Sequence, residues 1–108
     1  MLLELTSSTD IEIKVFEFGT DNEITTGEID LKMPVEIRII NSTGELLQYQ
    51  VKTHDEAVND ALLQKFAPTD RITYVPRRTG NVKIEVGVKL AETAGTAEFY
   101  KTVDLLVK

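Results

Sequence analysis

His54 is the only histidine in the 108-residue chain, and it stands beside Asp55 and Glu56. Serine is confined to Ser7, Ser8 and Ser42, so a Ser-His-acid triad would have to be assembled from these few positions. Such a triad needs nucleophile, base and orienting carboxylate to converge. A histidine in so polar a stretch reads instead as an exposed loop residue. Asp21, Asn22 and Glu23 offer oxygen ligands of the kind that hold Ca²⁺. They lack EF-hand spacing, however, and an Asx-type turn explains the same residues at less cost. With no Cys in the chain, disulfides, thiolate zinc sites and cysteine nucleophiles are excluded. Paired carboxylates for glycosidic cleavage need a cleft that so small a domain rarely provides. No Gly-rich phosphate loop is present. Asn41-Ser42-Thr43 matches a glycosylation sequon, a short pattern whose meaning depends on a secretory pathway. These residues predict a protein that is not an enzyme and that carries no cofactor and no metal.

Charge narrows the partners. Twelve Lys+Arg against eighteen Asp+Glu leave a net charge of −6, which disfavours nucleic acid and anionic membranes as ligands. Arg71, Arg77 and Arg78 form a local exception, read as solvated loop ends. No apolar run is long enough to span a bilayer as a helix, so no membrane insertion is expected. The opening Met-Leu-Leu-Glu-Leu-Thr-Ser-Ser has no basic region followed by an apolar one, so it does not read as a signal peptide. The chain is expected either to be cytoplasmic or to be a domain cut from a longer protein, extracellular or on the cell surface if that protein is exported. Its length suits one domain over residues 1–108, with about two-thirds of its surface buried on folding.

The elements that must position any site are strands. Val, Ile, Thr, Tyr and Phe make up 39 of the 108 residues and Ala only 6, a bias toward extended structure. Ile29, Leu31, Met33, Val35, Ile37 and Ile39 alternate with mostly polar neighbours, the pattern of a strand with one wet face. Pro34 falls on the outward phase and is expected at an edge or a bulge. Val82, Ile84, Val86, Val88 and Leu90 alternate as cleanly, and the two runs are expected to pack against each other. Shorter runs follow at Leu47 to Val51, Ile72 to Tyr74 and Val103 to Val107, with Phe99 expected in the last core layer. At the front, Ile11, Ile13 and Val15 share one phase while Phe16 and Phe18 share the other. That flip predicts a bulge, or a first strand that changes sheets.

Residues 55–66 are ambiguous. Ala57, Val58, Ala61, Leu62 and Phe66 recur at helical spacing, with Thr53 and Glu56 resembling a capping box. A loop followed by a strand over Ala61 to Phe66 competes, and is preferred because the architecture needs a strand there. About seven short strands with regular turn signals predict an all-β, antiparallel β-sandwich.

The second half resembles a bacterial family. Lys65-Phe66-Ala67-Pro68 through Tyr74-Val75-Pro76, then Arg77-Arg78-Thr79-Gly80-Asn81-Val82 through Lys89, is similar to the triple-tyrosine (three-Y) domains. Glu98-Phe99-Tyr100 through Val107 looks like their last strand, and Thr26-Gly27-Glu28-Ile29 and Leu47-Gln48-Tyr49 fit their second and third. The likeness covers residues 27–107. Phe66, Tyr74 and Val82 occupy positions that carry Tyr or Trp in the family, and Lys101 stands where an acidic residue is expected, so the chain would be a divergent member. The resemblance implies an immunoglobulin-like or fibronectin III-like sandwich in which those aromatics plug the core. Such domains follow β-propellers in two-component sensors or occur in tandem in surface proteins. No catalytic or ligand residue carries over from the family.

The function expected is therefore that of a non-catalytic interaction or spacer module, probed by neighbouring domains of a longer chain or by another protein. A carbohydrate-binding module is the alternative, weakened by the absence of Trp. A decoration domain of a viral particle is a further one. The interaction edge expected is the last strand, through Tyr100, Thr102 and Leu106 on its outward phase.

Overall fold

The alternating runs do form strands, and their inward phases meet between two sheets. A computed structural model describes residues 11–55, 60–91 and 99–108. Its strands are β1 (Ile11–Glu17), β2 (Glu28–Ile29), β3 (Val35–Asn41), β4 (Leu47–Asp55), β5 (Asp60–Ala67), β6 (Arg71–Tyr74), β7 (Gly80–Leu90) and β8 (Phe99–Val107). One sheet runs β1-β3-β6 and the other β2-β8-β7-β4-β5. All pairings are antiparallel except the short one between β2 and β8. This is an immunoglobulin-like β-sandwich. Two flanks result: β1 faces β8 on one side, and β6 faces β5 on the other.

Val35, Ile37 and Ile39 from one sheet and Val82, Ile84, Val86 and Val88 from the other fill the space between, all buried. Burying such branched side chains contributes roughly 1.5–3 kcal/mol each. The alternation read in β7 is therefore the core itself.

Three sequence expectations need correction. The run from Ile29 to Ile39 is not one strand. Ile29 ends β2 in the larger sheet, and the chain then crosses to β3 in the smaller one. Lys32 takes a left-handed conformation (φ 64°), and Pro34 lies between the strands rather than within one. Lys32 donates its amide to Pro76 O at 2.9 Å, which anchors the crossing. Met33, on the expected buried phase, is consequently 58% exposed.

The phase flip at Phe16 is also not a bulge. β1 pairs with β3 in one unbroken register, from Ile11 opposite Asn41 to Glu17 opposite Val35. Phe16 sits on the outer face and is buried there because the Arg38 guanidinium lies 3.9 Å from its ring centroid. Arg38 is fixed in turn by Glu36 at 2.5 Å, Asp21 at 3.1 Å and Thr20 O at 2.8 Å. The Glu36 hydrogen bond is the chief reason its pKa is raised, with Asp21 adding to it and burial opposing. Phe18 lies beyond the strand and is exposed.

The family's aromatic plugs are the third correction. Tyr74 is half-buried and packs against the core from its margin, whereas Phe66 lies half-buried on the outer face beneath Lys89, 4.7 Å from its ring. Among the described residues, Tyr49 is the aromatic that lies fully within the core, at 3% exposure. Burial pushes its phenol pKa up, and the Asp70 charge adds to that, while a hydrogen bond with the Asn41 side chain opposes it.

The strand read over Ala61 to Phe66 holds as β5, and residues 56–59, with Ala57, Val58 and Glu56, lie outside the described residues. Two register shifts against β4, between Tyr49 and Val51 and between Val51 and Lys52, explain the missing alternation. Gln64 settles in the irregular stretch, donating to Tyr49 O and Thr69 O at 3.0 Å each. Ser7, Ser8 and the side chain of Phe99 lie outside the described residues as well.

Candidate interaction site

β8 presents alternate residues to opposite sides, so Leu105 and Val107 are buried and Tyr100, Thr102, Asp104 and Leu106 face outward. Its backbone alternates too. The Leu106 amide donates to Gly27 O at 2.8 Å and the Lys108 amide to Ile29 O at 2.9 Å. Even-numbered residues of β8 thus direct their backbone groups away from β7. Gly27 can take up this position because its φ of 75° turns the chain alongside β8.

Below that contact, Tyr100, Thr102 and Asp104 have no strand beside them among the described residues, which leaves an open edge of three residues. Leu106 does not belong to it, because β2 already occupies its backbone. Tyr100 and Leu106 are 54% and 38% exposed, and six positions of extended chain, about 20 Å, separate them. The structure therefore joins Tyr100 to Thr102 and sets Leu106 apart.

Lys101 occupies the inward phase at the open end of this strand. Its Nζ donates to the Ile11 carbonyl at the start of β1, so the position where the family carries an acid here ties the two sheets together. A charge directed inward on an edge strand also blocks unrestrained strand addition. Nothing in the sequence pattern marked this role, because a lysine between Tyr100 and Thr102 reads as a solvated residue.

The other candidate residues disperse. His54 is not on a loop: it lies on β4, half-buried, with Nε2 3.7 Å from the Glu85 carboxylate on the outer face. Ser42 lies in the β3–β4 loop beyond the other end of the same strand, whose seven residue steps from Leu47 to His54 span about 23 Å. Asp21, Asn22 and Glu23 do not converge: Asp21 pairs with Arg38, Glu23 with Lys14 at 3.7 Å, and Asn22 N donates to Thr20 Oγ1 at 3.1 Å in a turn. No group of three or more acidic, His or Cys residues that could hold a metal occurs among the described residues. Asn41 of the sequon is engaged within its own turn, Oδ1 accepting from Thr43 N at 2.9 Å and Nδ2 donating to Glu45 O at 2.9 Å. On the outer face of the larger sheet, Lys89 covers Phe66 and leaves Tyr100 as the exposed ring among the described residues, a poor platform for stacking a sugar.

Two concavities among the described residues escaped the sequence reading. One, of about 610 Å³, is lined by exposed Phe18 and Met33 and rimmed by Glu17, Glu23, Glu28 and Asp30. The other, of about 530 Å³, opens between β5 and β6 and is lined by Arg77 and Arg78. Arg71, the third member of the basic cluster, is turned elsewhere, 3.9 Å from Glu36.

No family model matches this chain. No curated protein matches it either. Among solved structures, the extracellular domain of a putative hybrid two-component system from B. thetaiotaomicron is similar, with a TM-score of 0.62 and 15% identity over 90% of this chain. The likeness is one of fold. This chain spans 15% of the length of that structure, so the similar fold is one part of a longer extracellular domain there. No helix among the described residues is long and apolar enough to cross a membrane.

Proposed function

We propose that this domain is a non-catalytic contact module of a bacterial extracellular sensor or cell-surface protein, a divergent relative of the three-Y domains. The observation that carries the reading is the edge at Tyr100, Thr102 and Asp104, whose outward backbone donors and acceptors have no strand beside them among the described residues and lie next to an exposed ring. A core filled by interdigitating side chains leaves recognition to edges, faces and ends. The similar fold in a sensor's extracellular region supports the setting. Contact is made by adding a short extended segment of a neighbouring domain to β8, with Tyr100 packing over it.

The amides of Tyr100, Thr102 and Asp104 should exchange quickly in the isolated chain and be protected when the chain is carried in its full-length protein. Thr102→Pro removes the central outward donor without touching the ladder to β7, a placement that proline tolerates on an edge. That variant should lose the protection at Tyr100 and Asp104 while melting within a few degrees of the parent. Equal exchange with and without the rest of the protein would make the module a passive spacer.

A further inference from the structure

The cleft between β5 and β6 combines features that the contact function does not use. It lies on the flank away from β8, where the edges of the two sheets diverge. Its inner wall is apolar, built from Ala61, Leu63 and Val82, and buried Thr53 lies at its base. Arg77 and Arg78 both line it, although they are consecutive residues of the loop that leads into β7. No Asp or Glu is among its described lining residues.

The contrast with the other arginines is informative. Arg38 and Arg71 both reach Glu36, and Arg38 also holds Asp21. Arg77 and Arg78 make no ion pair among the described residues, in a chain with six more acids than bases. Two like charges beside one cleft repel each other, and an anion placed between them relieves that repulsion. A guanidinium presents a planar fork of donors that matches a carboxylate or a phosphate with two parallel hydrogen bonds. A volume of about 530 Å³ falls in the range of small-molecule sites.

We infer that this cleft binds a small amphiphilic organic anion, its carboxylate or phosphate held by Arg77 and Arg78 and its apolar body against Ala61, Leu63 and Val82. The site is separate from the β8 edge, and neither depends on the other. Half-exposed walls and a screened charge pair limit the affinity for a simple probe to a Kd on the order of 1 mM.

Titration of the ¹⁵N-labelled chain with benzoate, phenyl phosphate and neutral benzamide tests this by following the amides of Ala61, Leu63 and Val82. Saturable shifts with benzoate or phenyl phosphate, weakened at high salt and absent with benzamide, are expected. Whichever anion binds tighter identifies the head group. The double variant Arg77→Ala/Arg78→Ala changes exposed loop residues, and it should lose at least tenfold in affinity at an unchanged melting temperature. Arg77→Lys/Arg78→Lys keeps the charge without the fork and should bind more weakly than the parent but more tightly than the double alanine. The inference is overturned if neither anion shifts these amides, if benzamide shifts them equally, or if the folded double alanine variant binds as the parent does.

Discussion

Along the flank where β1 faces β8, Lys101 reaches from one sheet to a carbonyl of the other, and β2 covers the end of β8. Along the flank where β6 faces β5, Leu63 and Tyr74 are only half-buried and a cleft separates the two edges. Both flanks end sheets of the same sandwich, and both must deal with unpaired edges and exposed core. One is bridged by a polar strut and covered at one end by an added strand. The other is left open and lined with cations. Flank closure in so small a sandwich is therefore local, set by one or two side chains rather than by the sheets themselves.

The same substitution on each flank tests that comparison most strongly. Leu105→Ala on β8 removes a side chain that is 3% exposed and should cost about 2–5 kcal/mol, a large share of a small domain's stability. Leu63→Ala on β5 should cost about half as much or less, since that side chain already borders the cleft. Chemical denaturation midpoints decide it, and equal losses would mean that the two flanks are equally sealed.

A smaller effect comes from Tyr49, whose strand pairs with the open-flank edge. Its folded pKa is raised above the ordinary value of 10.0, chiefly by burial, so the fold favours the neutral phenol. That contribution is fully present below about pH 10 and is lost as pH rises through the higher folded value. Tyr49→Phe keeps the buried ring and should melt within a few degrees of the parent at neutral pH. Above pH 10 the parent should lose stability relative to the variant, which has no phenol to ionise. A gap constant to the alkaline limit would contradict the burial argument.

The smallest change in stability, about 1 kcal/mol or less, is expected for Lys101→Leu. Its consequence lies in association: with the inward charge gone, β8 should begin to pair with other copies. Sedimentation should show a concentration-dependent species that the parent lacks, and a variant that stays monomeric would show that Lys101 does not guard the edge.

How much of this was legible follows from which forces act locally. The alternation of Val82 to Val88 declared β7, because burying one face imposes a period of two on the residues themselves. The crossing at Lys32 was hidden because Ile29 and Val35 keep the same phase on both sides of the break, although they belong to different sheets. Glu36 read as a solvated residue on the wet face, yet it grips Arg38 over Phe16, a contact that depends on which strand lies alongside. Of the proposed edge, Tyr100 and Thr102 could be read from the outward phase alone. The occupation of Leu106 by β2 could not, since it joins residues far apart in sequence. Nor could the cleft, because adjacency of β5 and β6 is a property of the packed sheets.

That last ladder has a consequence for how the protein is made. Glu28 pairs with Leu106, 78 positions later, and Ile29 with Val107. A ribosome adding about 5–20 residues per second takes roughly 4–16 s to cover such an interval. In its last part, once Leu90 has been added, β4 and β7 can already pair, while the side of β7 meant for β8 stays bare. The segment from Val82 to Val88 is then a β-prone, largely apolar stretch awaiting its partner, the kind that sticks to other nascent chains. Lys83, Glu85 and Lys89, interleaved through that strand, place charges among its apolar residues, the arrangement that discourages such sticking before β8 arrives.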